Sequence, residues 1–126
     1  MKFLFLILVI SGVILAIFYQ PSNNHLLFSC PAGQVKVNSL CEGNPISMNW
    51  QKALSYCDKK QTRLANRNEL LYYFFNDLNK QNLKNNIYWS STTNKENPHL
   101  AWYFVAGINR LYSNQKELDG LVVCVK

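Results

Sequence analysis

The sequence predicts an α+β domain: two helices packed on a small antiparallel sheet, an N-terminal β-hairpin and two disulfides, preceded by one N-terminal membrane helix. Three observations predict it. Apolar residues recur at helical spacing between residues 50 and 78 and at strand spacing from residue 87 onward. All four cysteines lie beyond an uncharged apolar run. The most aromatic stretch, Tyr88 to Phe104, holds two β-prone runs around one polar loop. Hairpin, helix, helix and then several strands is an α+β order, not an alternating α/β one.

The chain has 126 residues, room for one domain and an appendage. Residues 1–20 are the appendage. Phe3 to Tyr19 carries no charge and only Ser11 and Gly12 as weakly polar members, so residues 3–19 are expected to meet a membrane. Lys2 precedes the run, and no Lys or Arg stands in Gln20 to His25. The positive-inside rule then places the N-terminus in the cytoplasm and the rest outside. No small-x-small cleavage site follows, which favours an uncleaved signal anchor over a signal peptide. The expected location is a bacterial inner membrane, single-pass, with the C-terminal domain in the periplasm, or secretion if the segment is cut. Residues 21–29 read as a short tether whose apolar end, Leu26 to Phe28, docks on the domain at 30–126.

Cys30, Cys41, Cys57 and Cys124 therefore sit in an oxidising compartment, and an even count there reads as two disulfides. Of three connectivities, Cys30 with Cys41 and Cys57 with Cys124 is preferred: the first closes a short hairpin, the second ties a helix to the last strand. The spacings do not suit a metal, and His25 and His99 lie in polar loops. No metal or cofactor is expected.

Thirteen Lys and Arg stand against seven Asp and Glu, a net charge of +6, of which Lys2 is one. The exported part is thus basic, and its expected partners are anionic: sulfated or acidic glycans, lipopolysaccharide or anionic lipid. Outside the cytoplasm, nucleic acid is not one of them.

The elements follow in order. Val35 and Val37 alternate with polar neighbours, turn at Asn38-Ser39 and return to Cys41, a disulfide-closed hairpin. Ser47 or Asn49 caps a helix whose apolar positions are Trp50, Ala53, Leu54 and Cys57, with Gln51, Lys52, Ser55, Asp58 and Lys59 on a solvated outer face. Asn66 and Glu69 form a capping box for a second helix. Its buried side is expected to hold Leu70, Leu71, Phe74, Phe75 and Leu78, and Tyr72 and Tyr73 are read as core with the phenylalanines. Asn76 to Asn86 is a polar loop. Strands are expected at Ile87 to Ser91, Ala101 to Ala106, Leu111 to Ser113 and Leu121 to Val125, with a turn near Gly107 to Asn109 and a polar loop at Gln115, Lys116 and Glu117. Trp89 and Trp102 are read as core.

Cys30-Pro-x-Gly, then Cys41, then Trp50-x-x-Ala53-x-x-x-Cys57 resembles the opening of long-form C-type lectin-like domains. Arg63-Leu64, Asn68-Glu69-Leu70-Leu71, Tyr88-Trp89-Ser90-Ser91-Thr92-Thr93, Ala101-Trp102-Tyr103 and Val123-Cys124-Val125-Lys126 are similar to one bacterial branch, the Lcl C-terminal domain family, named after collagen-like adhesins. The resemblance spans about Cys30 to Lys126. It implies a C-type-lectin-like fold with the first helix bridged to the last strand, in agreement with the pairing above. Two departures stand out: Ala65-Asn66 where the family has Pro-Thr, and Val123 where it has Arg. Calcium-dependent sugar binding in C-type lectins rests on Glu-Pro-Asn and Trp-Asn-Asp. Here the order is Glu96-Asn97-Pro98, and Trp102 is followed by Tyr103, so calcium binding is not expected.

No catalytic residue is expected. The hydroxyls of Ser90 to Thr93 lack a base with an orienting partner, and satisfying turn backbone explains them better. Formylglycine-generating oxidases share a C-type-lectin-like core but need active cysteines, and all four here have disulfide roles. The leading expectation is a non-catalytic binding module outside the membrane. Its loops, about Thr92 to Leu100 and Ile108 to Glu117, would recognise an anionic glycan or envelope component through Asn94, Lys95, Asn97, Tyr103, Arg110 and Lys116. The alternative is an accessory protein-binding subunit of an envelope assembly such as a secretion system or pilus.

Overall fold

The computed structural model describes residues 27–38, 40–76 and 86–126. The apolar run at 3–19, most of the tether, His25, Ser39, Leu78 and most of the Asn-rich loop lie outside the described residues. No helix among the described residues is long and apolar enough to cross a membrane. The elements are β1 (Val35–Val37), β2 (Leu40–Glu42), β3 (Met48–Asn49), α1 (Trp50–Lys59), β4 (Arg63–Leu64), α2 (Arg67–Asn76), β5 (Ile87–Thr93), β6 (Leu100–Val105), β7 (Arg110–Gln115), β8 (Asp119–Gly120) and β9 (Cys124–Val125). The class is α+β with two helices, as the periodicity predicts. The expected single sheet is instead several small ones: antiparallel β5-β6-β7, and the antiparallel pairs β1-β2, β3-β8 and β4-β9. Both disulfides form with the preferred connectivity, Cys30–Cys41 and Cys57–Cys124.

Both helices begin where short polar side chains can satisfy their first free N–H groups. The Asn49 side chain accepts from the Lys52 N–H at 3.0 Å and opens α1. At α2 the box is reciprocal: the Glu69 N–H donates to Asn66 Oδ1 at 2.9 Å, and the Asn66 N–H donates to Glu69 Oε2 at 2.8 Å. Arg63 adds a two-pronged contact, its guanidinium donating to both Glu69 oxygens at 2.6 and 2.7 Å. These donors hold the Glu69 carboxyl below its ordinary 4.5: the Arg63 hydrogen bonds come first, partly opposed by burial, and the Asn66 N–H adds to them. A depressed carboxylate stabilises the fold above its unfolded pKa and loses that contribution as pH falls through the folded value. Denaturant midpoints measured from pH 7 downward are therefore expected to drop below about pH 4.5 in the wild type. Glu69→Gln should be less stable by about 1–3 kcal/mol at pH 7 and show a flatter acid limb; an equally steep one would sink this account.

The C-terminal stretch runs through the middle of the domain. Residues Leu121 to Val125 are all buried, and their side chains alternate between two cores. Val122 and Cys124 join Ala53, Cys57, Leu64, Trp89 and Ala101 on the α1 side. Leu121, Val123 and Val125 join Ala65, Leu70, Phe74, Tyr88 and Phe104 on the α2 side. A strand covered on both faces needs a continuous apolar run, and Leu-Val-Val-Cys-Val supplies it. Its backbone is used on both edges. The N–H groups of Ser29 and Ala32 donate to Cys124 and Val122 carbonyls, and those of Trp89 and Ala65 donate to Leu121 and Val123 carbonyls. Two residues that depart from the lectin-like pattern fit this packing. Val123 is fully buried where a charge would need a partner, and the Ala65 N–H makes a bond that proline has no hydrogen to make.

Of the expected last strand, Leu121 to Val125, only β9 is paired as a strand; Leu121 meets β5 in a parallel bridge at Tyr88, and β8 lies just before it, paired with β3. Trp89 is buried as read from sequence. Its indole lies so close to Gly120 that a Cβ there would sit 2.9 Å from Cδ1, which accounts for glycine at that position. Phe74 stacks on Phe104 at 4.5 Å and tilts against Tyr88 at 4.7 Å. Burial pushes the Tyr88 hydroxyl up to about 12, with a smaller contribution from Tyr73.

Two readings of α2 need correction. Phe75 and Tyr72 are 65% and 56% exposed, not core. The sheet meets the edge of this helix carrying Leu70 and Phe74, and Tyr72 lies outside that edge, stacked on Phe28 at 6.2 Å. Trp102 is half-buried rather than core, with the Arg67 guanidinium 4.9 Å from its ring centre.

Candidate functional site

The loop between β5 and β6 is built by its own amides. Asn94 Oδ1 accepts from the N–H groups of Glu96 and Asn97 at 2.9 and 3.4 Å, while its Nδ2 donates to Ser113 at 3.0 Å. Asn97 Oδ1 accepts from the His99 N–H at 3.2 Å. Both asparagines expected to bind ligand therefore spend side-chain oxygen on turn backbone. Lys116 reaches the same loop, donating to the Pro98 carbonyl at 2.8 Å with its ammonium 4.1 Å from the Trp50 ring centre. Lys95 is exposed there.

The structure does not bring Arg110 to this loop. Ile108 to Glu117 is not one loop but a turn, strand β7 and a second turn. Arg110 pairs with Val105 at one end of β7, and Gln115 pairs with Leu100 at the other. Five residue steps of about 3.3 Å put roughly 17 Å between Arg110 and the loop end. The polar run Ser113-Asn114-Gln115 is strand because β6 offers it a full ladder. Tyr103 is half-buried on the middle strand, edge-on to Trp89 at 5.9 Å and beside Tyr112 at 6.0 Å.

The hydroxyls of β5 serve the backbone as well. Three residues of β5 stand against one of β6, Trp102, between the pairs Trp89–Tyr103 and Thr93–Ala101, so the strand bulges at Ser90 to Thr92. The bulge turns the Ser90 carbonyl to the Trp50 indole N–H at 2.8 Å, and the Ser91 N–H to the Ala65 carbonyl. Ser90 Oγ accepts from the Thr92 N–H, and Thr92 Oγ1 accepts from the Arg67 N–H at the start of α2.

Two shallow concavities flank α1. One, of about 390 Å³, has Leu54 and Leu64 as apolar lining and Ser55, Thr62, Ser91, Asp58 and Arg63 as polar lining. The other, of about 410 Å³, is lined by Met48, Gln51, Lys52, Ser55, Tyr56 and Lys59. It contains two ammonium groups, an amide, a hydroxyl and an aromatic ring, and no carboxylate stands among its described lining residues. Lys60 stands beside it with its ammonium 4.5 Å from the Tyr56 ring centre. Residues 52, 56, 59 and 60 share one helical face by their spacing. An anion that also carries hydroxyls finds matching chemistry here: charge on the lysines and an amide on Gln51, while Ser55 Oγ donates to the Gln51 carbonyl at 3.2 Å and is left as an acceptor.

Of the residues expected to bind ligand, the structure thus groups Asn94, Lys95, Asn97 and Lys116 and separates Tyr103 and Arg110. The α1 face is the site that the loop-centred reading passes over. Its signal, Lys-x-x-x-Tyr-x-x-Lys-Lys, is present in the sequence but reads there as a solvated helix surface.

Residues 44–126 match the model of a family described as a domain of unknown function, DUF8780. The match covers more than half of the chain and begins just after the hairpin closed by Cys30 and Cys41. No curated protein matches the chain.

Proposed function

We propose, for a chain that belongs to the DUF8780 family, a non-catalytic binding module held outside a bacterial inner membrane by residues 3–19 and recognising an anionic glycan or envelope component. The observation that carries it is the α1 face: Lys52 and Lys59 beside Tyr56 in a depression with no carboxylate among its described lining residues, and Lys60 against the Tyr56 ring. The basic balance of the whole chain supports it. A C-type-lectin-like fold of the Lcl C-terminal kind is supported by two features, the disulfide from the first helix to the final strand and the pairing of the first described residues with the last. Residues 94–99 and Lys116 form a second polar surface of the same module.

Retention of the full chain on immobilised heparin tests the reading. Two exposed charge contacts of roughly 0.5–1 kcal/mol each make Lys52→Glu with Lys59→Glu bind about tenfold more weakly. Moderate salt should do the same to the wild type, because exposed charges are screened. Arg110→Glu alone is expected to change little. Retention that survives the α1 double variant would remove this face from consideration.

The short tether favours one other reading, an accessory protein-binding subunit of an envelope assembly. An anchored domain so close to the inner membrane would meet other envelope proteins more readily than a distant surface. Under it, the chain remains full length in the membrane fraction and binds no sulfated glycan.

A further inference from the structure

The β1-β2 hairpin is exposed throughout its described strand residues, yet it is not polar. Val35, Val37 and Leu40 are 65%, 38% and 45% exposed. Val37 pairs directly with Leu40, and Val35, two positions along the same strand, shares their face. Lys36 and Cys41 form the next pair and point to the other face, with the disulfide to Cys30 behind them. Glu42, opposite Val35, is the acid on the apolar side. The hairpin is therefore a small projecting apolar element fixed at its base by a covalent bond.

We infer that Val35, Val37 and Leu40 contact the lipid surface and lay the domain against it. This rests on the reading of residues 3–19 as a membrane segment. Seven residues, 20–26, separate that run from Leu27, and fully extended they span at most about 25 Å. Cys30 follows three residues later and is bonded to Cys41, so the hairpin cannot lie far from the bilayer. A second copy of the chain suits the patch less well. Three aliphatic side chains fall far short of the roughly 1,000 Å² buried in a specific protein interface. Against a bilayer to which the chain is already tethered, contact is effectively intramolecular, and a small apolar patch is enough.

The test uses the full chain with Val37→Trp, reconstituted into phosphatidylcholine and phosphatidylglycerol vesicles with or without bromine on the upper acyl chain. The added indole emission is expected to shift to the blue and to lose about half its intensity to bromine. The same variant carrying Val35→Asp and Leu40→Asp should lose that quenching and still float with the vesicles; Leu40→Trp provides an independent reporter. Flotation without bromine quenching overturns the hairpin contact while leaving the anchor intact. Failure to float after a carbonate wash overturns the anchor and the contact together. A blue shift that grows with protein-to-lipid ratio and ignores bromine assigns the patch to a second copy and overturns the lipid contact.

Discussion

Replacing Cys57 and Cys124 together by alanine is expected to lower the stability of the domain by about 4 kcal/mol, enough to leave much of it unfolded at 37 °C. The bridge closes 67 residues of sequence separation, and the loop-closure cost it removes from the unfolded chain grows with the logarithm of that length. Its location adds to this. Cys57 and Cys124 are buried in the core on the α1 side, so two alanines also leave their sulfur positions unfilled. The bridge further sets where the central stretch lies, since Cys124 pairs with Leu64 on one edge and receives the Ser29 N–H on the other. The partner experiment, Cys30→Ala with Cys41→Ala, removes a bridge of separation 11 on an exposed hairpin, and about 3 kcal/mol is the upper expectation from loop length. Thermal melts of the two double variants should rank in that order. Equal losses would show that loop length and burial are not what the bridges contribute.

Local signals made the helices legible. Asn49 ahead of Trp50, and Asn66 with Glu69, are caps whose partners lie within three residues, so no knowledge of the fold is needed to read them. The disulfide pairing was legible because the cysteines sit on elements with clear periods. What stayed hidden depends on neighbours far away in sequence. A helix with Leu70, Leu71, Phe74 and Phe75 in a row of apolar positions does not say which edge of that row the sheet covers. The bulge at Ser90 to Thr92 depends on Ala65, Arg67 and Trp50, all more than twenty residues away. Asn114 and Gln115, beyond the expected strand end at Ser113, look like loop until β6 supplies partners.

The candidate site shows the same division. Asn94 and Asn97 are residues that bind ligands in some loops and build turns in others, and only their hydrogen bonds distinguish the two uses. Reading them as ligand groups assumed free side chains in a loop that had to fold by itself. Conversely, Lys52, Tyr56 and Lys59 were visible at helical spacing, but the depression beside them needs Met48 from the preceding strand as one lining residue.

Phe74→Ala is expected to cost about 3–5 kcal/mol, the range for truncating a fully buried aromatic. The ring is 1% exposed and lies between Phe104 and Tyr88, with Leu70 and Ala65 in the same core. No neighbour can collapse into the space easily: Phe104 and Tyr88 are held by ladder bonds of β5 and β6, and Leu70 by the first turn of α2. The α2 core meets the α1 core through the alternating side chains of Leu121 to Val125, so a cavity at Phe74 loosens the backing of Val123 and Val125 as well. Phe75→Ala, one residue on and 65% exposed, is expected to cost less than half as much. Urea midpoints of the two variants separate the structural account from the helical periodicity, which treats both phenylalanines alike. Similar midpoints would mean that Phe75 is covered in solution and that the wide apolar stripe is buried across its whole width.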